Sequence, residues 1–364
     1  MTRNRQRGGW TMAVLAAFSI GTAQANVPGN SAAALLPGVG AAQAASDPAT
    51  SAATRYPVIL VNGLFGTNDY LGVYPYWFGI KEDLERHGAT VYVASVRTIG
   101  SEAERGQDLL DFINKVAPGQ KVNLIGHSQG GFTVRYVAQI APDRVASVTT
   151  IGTPHWGAPL ADVIDGVLNV SDTIGVGGLT FGAVIRAVLQ PVAAILGIVI
   201  QGNPNQNPEG ALDTLDSVGA ARFNKVYSSA GLGDPAACTS GAASQTIEGN
   251  AQRLYSWSGS AFRKNALGLP YDSSLSGPLD PALLLDPTTA GLATAGLPTV
   301  AFGFGDNDGI VPVCRSKFGQ VIGTAFKWNH LDEVNQILGV MGGNAEDPVA
   351  VIRTHVERLK NAQL

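Results

Sequence analysis

The chain has 364 residues, of which 45% are apolar and 14% are charged, and its formal net charge is −4. This composition excludes a disordered protein, because a chain of this length and apolar content can bury a large core. The acidic balance also gives no electrostatic basis for binding nucleic acid.

The first 44 residues are typical of a secretory leader. Three arginines among the first seven residues precede a short apolar run over 12–20, and small-residue cleavage signals follow. This pattern predicts a signal peptide over 1–44, with cleavage after residue 25 as the alternative, because the run is too short to span a membrane. Its removal takes away three arginines and no acid, so the formal charge changes from −4 to −7. Residues 45–55 are predicted to be a flexible mature N-terminus.

The rest of the chain alternates apolar runs with helix-like segments. Residues 57–61 are continuously apolar, as expected for a parallel strand that is buried on both faces. The alternation predicts an α/β fold with a mainly parallel, doubly wound sheet flanked by helices. Predicted strands cover 57–61, 90–94, 121–125, 145–151, 299–302 and 321–326, and predicted helices cover 78–87, 102–116 and 348–359.

This alternation weakens after residue 160. The stretch 181–200 is almost wholly apolar, which we interpret as a mobile helix that covers a hydrophobic pocket, with a buried core helix as the alternative. Residues 203–297 are rich in Gly, Pro and Asn, contain a strand-like run over 253–257, and are interpreted as an insertion. We therefore predict a single domain over 56–364, with a helical lid at about 160–202 and an inserted cap region at about 203–297.

The most informative motif is the pentapeptide over 126–130, which has Ser128 at its centre. It lies between an apolar run and a helix-like run, the context that a nucleophile elbow requires. In such an elbow the serine has a strained backbone, and the flanking glycines let strand and helix approach closely. The following helix N-terminus directs N–H groups toward a developing oxyanion. The alternative is an ordinary turn with an incidental serine.

A serine nucleophile needs a histidine base oriented by a carboxylate, and in this fold both follow the serine, acid first. Of the five histidines, His330 follows a predicted strand at the edge of the sheet where ligands bind, and His155 is its rival. His355 is placed on the polar face of the last helix. Asp308, at an Asp-Gly turn, is the expected acid, with Asp306 as its competitor.

The oxyanion requires two backbone N–H donors. One is expected from Gln129, the residue after the nucleophile, and the other from Leu64, in the loop after the first strand. These assignments depend on the strand–turn–helix context described above.

The chain contains two cysteines, Cys238 and Cys314. In an exported protein such a pair predicts one disulfide, with two free buried thiols as the alternative. The bond would close a long loop and would also restrain the loop of Asp308, which lies six residues before Cys314.

Four segments together resemble the secreted true lipases of Burkholderia and Pseudomonas, namely 56–61, 126–131, 148–155 and 327–333. The resemblance extends across essentially all of 54–364. It implies an α/β-hydrolase fold, hydrolysis of triacylglycerols at oil–water interfaces, a helical lid and a dedicated membrane-anchored foldase. We also expect a monomer that is secreted through the periplasm.

Carried over by motif, the resemblance implies a set of site residues and a structural Ca²⁺. Hard oxygen ligands suit that ion, although without the resemblance Asp286 would be interpreted as a turn residue and Asp332 as a helix N-cap. The implied set is nucleophile Ser128, acid Asp308, base His330, oxyanion donors Leu64 and Gln129, and calcium ligands Asp286, Asp332 and the backbone carbonyls of Gln336 and Val340.

Three positions depart from the family pattern. The family usually has His-Gly-Leu after the first strand, whereas this chain has Asn62, and Phe65 and Trp156 are unusually bulky. These changes concern the shape of the acyl pocket and the preorganisation of the oxyanion loop. The sequence therefore predicts a triacylglycerol lipase. An esterase for short soluble esters or polyesters is one alternative, and a non-catalytic secreted binding protein of the same fold is another.

Overall fold

The computed structural model describes residues 48–70, 74–165, 175–176, 179–180 and 205–364, all within one structural unit, Ser46–Leu364. The predicted signal peptide and the predicted lid helix over 181–200 lie outside the described residues. Within the described ranges, no helix is both long and apolar enough to cross a membrane.

The described residues contain strands of two to ten residues. In chain order they are β1 (Val58–Val61), β2 (Asp69–Tyr70), β3 (Tyr74–Pro75), β4 (Val91–Val93), β5 (Val122–His127), β6 (Val145–Ile151), β7 (Gly175–Val176), β8 (Leu179–Thr180), β9 (Ser244–Ile247), β10 (Asn250–Gly259), β11 (Phe262–Lys264), β12 (Pro270–Asp272) and β13 (Gln320–Phe326).

Six parallel strands form the main path of the central sheet, in the order β13-β10-β6-β5-β1-β4. A seventh strand, β9, pairs antiparallel with β10. Every residue of β1, β5 and β6 is buried, which explains why these segments do not alternate between apolar and charged residues; their polar residues, such as Asn123 and His127 of β5, are buried as well.

Helices cover both faces of this sheet. A further helix begins at 159 and is described through 165. The labelled helices are α1 (Ile80–Arg86), α2 (Glu102–Val116), α3 (Gln129–Ile140), α4 (Pro208–Leu215), α5 (Ser217–Val226), α6 (Pro281–Leu285), α7 (Pro287–Ala301), α8 (Val313–Ser316) and α9 (Pro348–Asn361), and short 3-10 turns occupy Pro48–Thr50, Pro142–Arg144 and Asp332–Val334.

The two faces of the sheet have separate hydrophobic cores. Ile59 and Val61 of β1 pack in the core that contains the apolar faces of α2 and α3. Val58 and Leu60 alternate with them and pack in the core that contains α1 and α9. This period of two is the strand geometry, and it places one helical layer on each face. The prediction of a parallel sheet flanked by helices is confirmed.

Two predicted elements are wrong. Residues 299–302 were predicted to be a strand but lie at the end of α7. Asp286 caps the start of that helix by accepting a hydrogen bond from the Thr288 N–H, and Pro287 occupies its first position. These start signals outweigh the strand preference of the β-branched residues near its end. The region 203–297 is not simply an insertion, because it contains β10, which lies between β6 and β13 in the central sheet.

The segment that was predicted to be a flexible mature N-terminus has contacts with the folded domain where it is described. Ser51 and Ala52 are buried, and the N–H of Ala52 donates to the carbonyl of His87. The N–H of Arg55 donates to the carbonyl of Leu364. From Ser51 onward, this segment therefore packs on the folded domain.

His355 lies in the core, and its placement on a polar helix face is wrong. It falls between Ile352 and Val356, which are both buried, so the turn of α9 carries it to the same face. Its Nε2 lies 2.9 Å from the hydroxyl of Thr149. Burial lowers the pKa of His355 to about 3, and the neighbouring Arg358 charge acts in the same direction.

This depressed pKa predicts acid destabilisation. The unfolded chain takes up a proton near pH 6.5, whereas folded His355 stays neutral down to about pH 3. The free energy of unfolding should therefore fall by about 1.4 kcal/mol for each pH unit below 6.5. Between pH 7 and pH 5, the free energy of unfolding measured with urea should fall by about 2 kcal/mol less in His355→Gln than in the wild type. His87→Gln, at a half-buried histidine, is the control, and equal losses in wild type and His355→Gln would contradict the assignment.

Candidate active site

Ser128 has the backbone of a nucleophile elbow. It follows β5 directly and caps α3, with φ 55° and ψ −127°, in a region that non-glycine residues avoid. The surrounding backbone is too close for side chains: a Cβ on Gly126 would lie 2.3 Å from the Gly130 carbonyl oxygen, and a Cβ on Gly130 would lie 2.4 Å from that of Val61. The glycines at these two positions therefore allow the bend.

His330 and Asp308 form a buried pair. Nδ1 of His330 lies 2.8 Å from Oδ2 of Asp308, and the other carboxylate oxygen accepts from the N–H groups of Ile310 and Val311. The carboxylate can accept only, so the Nδ1 proton points to it and Nε2 remains available as a base. Asp306, the competing acid, is exposed.

Ser128 and His330 line the same cavity, of about 470 Å³. No hydrogen bond joins their side chains among the contacts of the described residues, and such bonds commonly tighten only when substrate is bound. The remaining wall is almost entirely apolar. It includes Leu64, Ala158, Ala161, Leu212, Leu215 and Ile310.

His155, the rival base, does not line this cavity. Its Nδ1 lies 3.0 Å from a guanidinium nitrogen of Arg135, and its Nε2 lies 3.1 Å from the hydroxyl of Thr150. Burial, and then the Arg135 charge, lower the pKa of His155 well below its usual value. Both ring nitrogens are therefore occupied in the core, which accounts for this histidine structurally.

The backbone N–H groups of Leu64 and Gln129 are the predicted oxyanion donors, and no described residue accepts a hydrogen bond from either. The Leu64 loop is held from behind by Arg105, whose guanidinium donates to the Asn62 carbonyl at 2.5 Å. The Asn62 side chain accepts from the indole N–H of Trp77 at 2.8 Å. The asparagine that departs from the family pattern therefore also anchors this loop.

Gly63 brings the Leu64 loop against the serine. A Cβ at position 63 would lie 2.8 Å from Cβ of Ser128 and 2.9 Å from the hydroxyl of Tyr76. Only a residue without a side chain permits this approach.

Gly63→Ala should therefore displace the Leu64 N–H and lower kcat/KM for a p-nitrophenyl ester by about 100-fold, the usual cost of a lost oxyanion donor. Gly291→Ala is the matched control, because a Cβ there meets nothing within 4 Å. Activity of Gly63→Ala within threefold of the wild type would show that the loop tolerates the added methyl.

Cys238 and Cys314 are joined by a disulfide that spans a sequence separation of 76. Cys314 lies in α8, shortly after the loop of Asp308. The bond therefore ties this part of the chain to the segment before β9.

Sequence reasoning missed two groups beside His330. The ring centroid of His127, on the elbow itself, lies 4.6 Å from that of His330. Glu333 is buried, with one carboxylate oxygen 3.1 Å from Nε2 of His127 and 3.8 Å from Nδ1 of His330. Burial and the Asp308 charge raise the pKa of Glu333 well above its usual value. The position of Glu333, three residues after His330, was the sequence feature that could have indicated it.

A group that could hold a metal ion among the described residues is His127, His330 and Glu333. These side chains already bond one another or their neighbours, and they are not the predicted calcium ligands.

The predicted calcium residues offer a different environment. Oδ1 of Asp332 is buried without a hydrogen-bond partner. Burial raises the pKa of Asp332 well above its usual value, and the charges of Asp286 and Asp272 raise it further. No described residue donates a hydrogen bond to the carbonyl oxygen of Gln336 or Val340. Clustered buried carboxylate charge and free carbonyl oxygens match the donors that Ca²⁺ prefers.

Comparisons with known proteins agree with this architecture. A family model described as alpha/beta hydrolase fold matches residues 56–172. Triacylglycerol lipase of Burkholderia plantarii is 46% identical over 95% of this chain and 97% of its own length, and that of Pseudarthrobacter phenanthrenivorans is 48% identical over 85% and 98%. Staphylococcus hyicus lipase superposes with a TM-score of 0.60 at 17% identity, covering 89% of this chain and all of that structure, which shows the shared fold.

The fold and these relatives together define a serine ester hydrolase of the α/β-hydrolase class. At this identity and coverage, the chain belongs to the bacterial triacylglycerol lipase family. The resemblance to the Burkholderia and Pseudomonas lipases is therefore confirmed.

Proposed function

We propose that this protein is a secreted lipase that hydrolyses long-chain triacylglycerols at lipid–water interfaces. The observation that carries the proposal is the position of Ser128 and His330 on one almost wholly apolar cavity, with Asp308 bonded to the far side of the imidazole. The names of the most similar relatives support the same substrate class.

In the proposed reaction, Ser128 Oγ attacks the ester carbonyl while Nε2 of His330 takes its proton. The same nitrogen then donates that proton to the departing alcohol, and water repeats the sequence on the acyl-enzyme. Asp308 holds the imidazole in the required tautomer and stabilises its charged form. The N–H groups of Leu64 and Gln129 bind the tetrahedral oxyanion.

The cavity wall supports long acyl chains over short ones. Each methylene that leaves water for an apolar wall contributes about 0.8 kcal/mol. Leu160 and Ile164 line the cavity and are also substantially exposed, so the apolar surface continues outward from the site. A continuous apolar surface of this kind suits contact with a lipid phase.

Ser128→Ala should abolish hydrolysis of emulsified triolein, because no other described group can form the acyl-enzyme at this elbow. For the wild type, rates on p-nitrophenyl esters should rise from C2 toward C16 and increase when a substrate passes its solubility limit. Thr133→Ser, on α3 but outside the cavity, controls for the effects of preparing and assaying a variant protein. A wild-type preference for C2 without an interfacial increase would favour the soluble-ester alternative.

We also propose a structural Ca²⁺, held by Asp286, Asp332 and the carbonyl oxygens of Gln336 and Val340. The unpartnered Asp332 oxygen and the clustered acidic charge support it. Asp332 lies two residues after His330, so the ion would hold the loop of the base without taking part in the chemistry.

Chelation with EDTA should lower the thermal midpoint by several degrees, and added Ca²⁺ should restore it, because a ligand that binds only the folded state stabilises it. Asp332→Asn should lose this response, whereas Asp143→Asn, at an exposed acid, should keep it. An unchanged midpoint, together with no metal in native mass spectrometry, would contradict the site.

We infer export through the periplasm with the help of a foldase, followed by action as a monomer. The leader-like N-terminus and the disulfide support an oxidising compartment. The foldase rests on the family resemblance alone.

A further inference from the structure

We propose that Tyr76 and His127 are positioning residues, whose hydrogen-bond chain fixes the oxyanion loop relative to the loop that carries His330. The inference rests on the proposed function, since it concerns the same reaction.

The chain of contacts is short and buried. The N–H of Gly63 donates to the hydroxyl of Tyr76 at 3.1 Å, and that hydroxyl lies 2.6 Å from Nδ1 of His127. On its other side, Nε2 of His127 lies 3.0 Å from the backbone carbonyl of His330. Tyr76 is 4% exposed and His127 is fully buried, so water does not compete for these bonds and each is stronger than it would be at the surface.

The direction of every proton in this chain is determined. A carbonyl oxygen can only accept, so the proton of neutral His127 sits on Nε2, which faces the His330 carbonyl and, at 3.1 Å, the carboxyl group of Glu333. Nδ1 of His127 is then an acceptor, so the Tyr76 hydroxyl donates to it while the Tyr76 oxygen accepts from the N–H of Gly63. Burial, and then the neighbouring His330, lower the pKa of His127 well below its usual value, which keeps it in this neutral form.

Each reacting group is joined to this chain through itself or an adjacent residue. Gly63 precedes the oxyanion donor Leu64, His127 precedes the nucleophile Ser128, and the carbonyl acceptor belongs to His330 itself. The three groups come from the first loop, the elbow and the C-terminal part of the chain. These segments must be held in fixed relative positions for the groups to reach a productive geometry. A misplacement of about 1 Å in such a geometry can cost about 100-fold in rate.

The first test removes the central hydroxyl. Tyr76→Phe should lower kcat for a p-nitrophenyl ester by about tenfold or more, with KM changed less than about twofold, because the reacting groups lose alignment while the pocket wall remains. The rate of Ser128 labelling by an alkyl phosphonate, which forms a tetrahedral adduct, should fall by a similar factor. Tyr255→Phe removes the hydroxyl of another buried tyrosine in the sheet and should leave both rates unchanged.

A second pair of variants separates the two hydrogen bonds that His127 makes, one toward Tyr76 and one toward His330. His127→Gln can retain a donor toward the His330 carbonyl, whereas His127→Asn can retain only an acceptor toward Tyr76. We expect His127→Gln to preserve more of kcat than His127→Asn. Combined with Tyr76→Phe, His127→Gln should cost little beyond the larger single effect, because both changes break the same chain.

Two outcomes would overturn the proposal. One is a Tyr76→Phe variant with a lowered thermal midpoint but kcat and labelling rates within twofold of the wild type, which would make the hydroxyl merely structural. The other is full additivity of the two substitutions in ln kcat, which would mean that they act independently. Failure of the proposed function is distinguishable, since the wild type would then be neither active on esters nor labelled by the phosphonate.

Discussion

The backbone conformation of Ser128 is the constraint on which the rest of the site depends. Its φ of 55° persists because three backbone segments meet around it without room for a side chain, at Gly63, Gly126 and Gly130. A strained residue persists only where its surroundings over-determine it, and here those surroundings are β1, β5 and α3. The bend exposes the serine hydroxyl at the edge of the sheet and aims the first turn of α3 at the same point.

The polar and apolar requirements of ester hydrolysis are met next to each other around this serine. Buried polar groups such as Tyr76, His127 and Arg105 bond one another or nearby carbonyls. Tyr76 and His127 also line the cavity, whose remaining wall is almost entirely hydrocarbon. In the proposed reaction the polar groups hold the donors and the base where charge develops, in surroundings of low dielectric. The hydrocarbon wall offers an apolar surface for an acyl chain.

Local patterns predicted those elements whose form depends on local residues. The helix over 102–116 and the strand over 145–151 match α2 and β6 residue for residue, because a capping box begins one and β-branched residues fill the other. The placement of elements that depend on distant partners was missed. The strand-like run over 253–257 lies in β10, but β10 belongs to the central sheet because Arg253 pairs with Ser147, a contact that no short window contains. His355 is buried because α9 packs on the sheet.

From the sequence by itself, the elbow at Ser128, the α/β class and the family could be determined, since each depends on a motif or on a local period. The tertiary structure alone decided that Asp308 and not Asp306 meets His330, that His155 is bound within the core, and that Glu333 and Tyr76 lie beside the reacting groups. The physical reason is that parallel strands bring their carboxyl ends to one edge. Residues some two hundred positions apart become neighbours there through pairing and packing, and short-range patterns carry no record of those contacts.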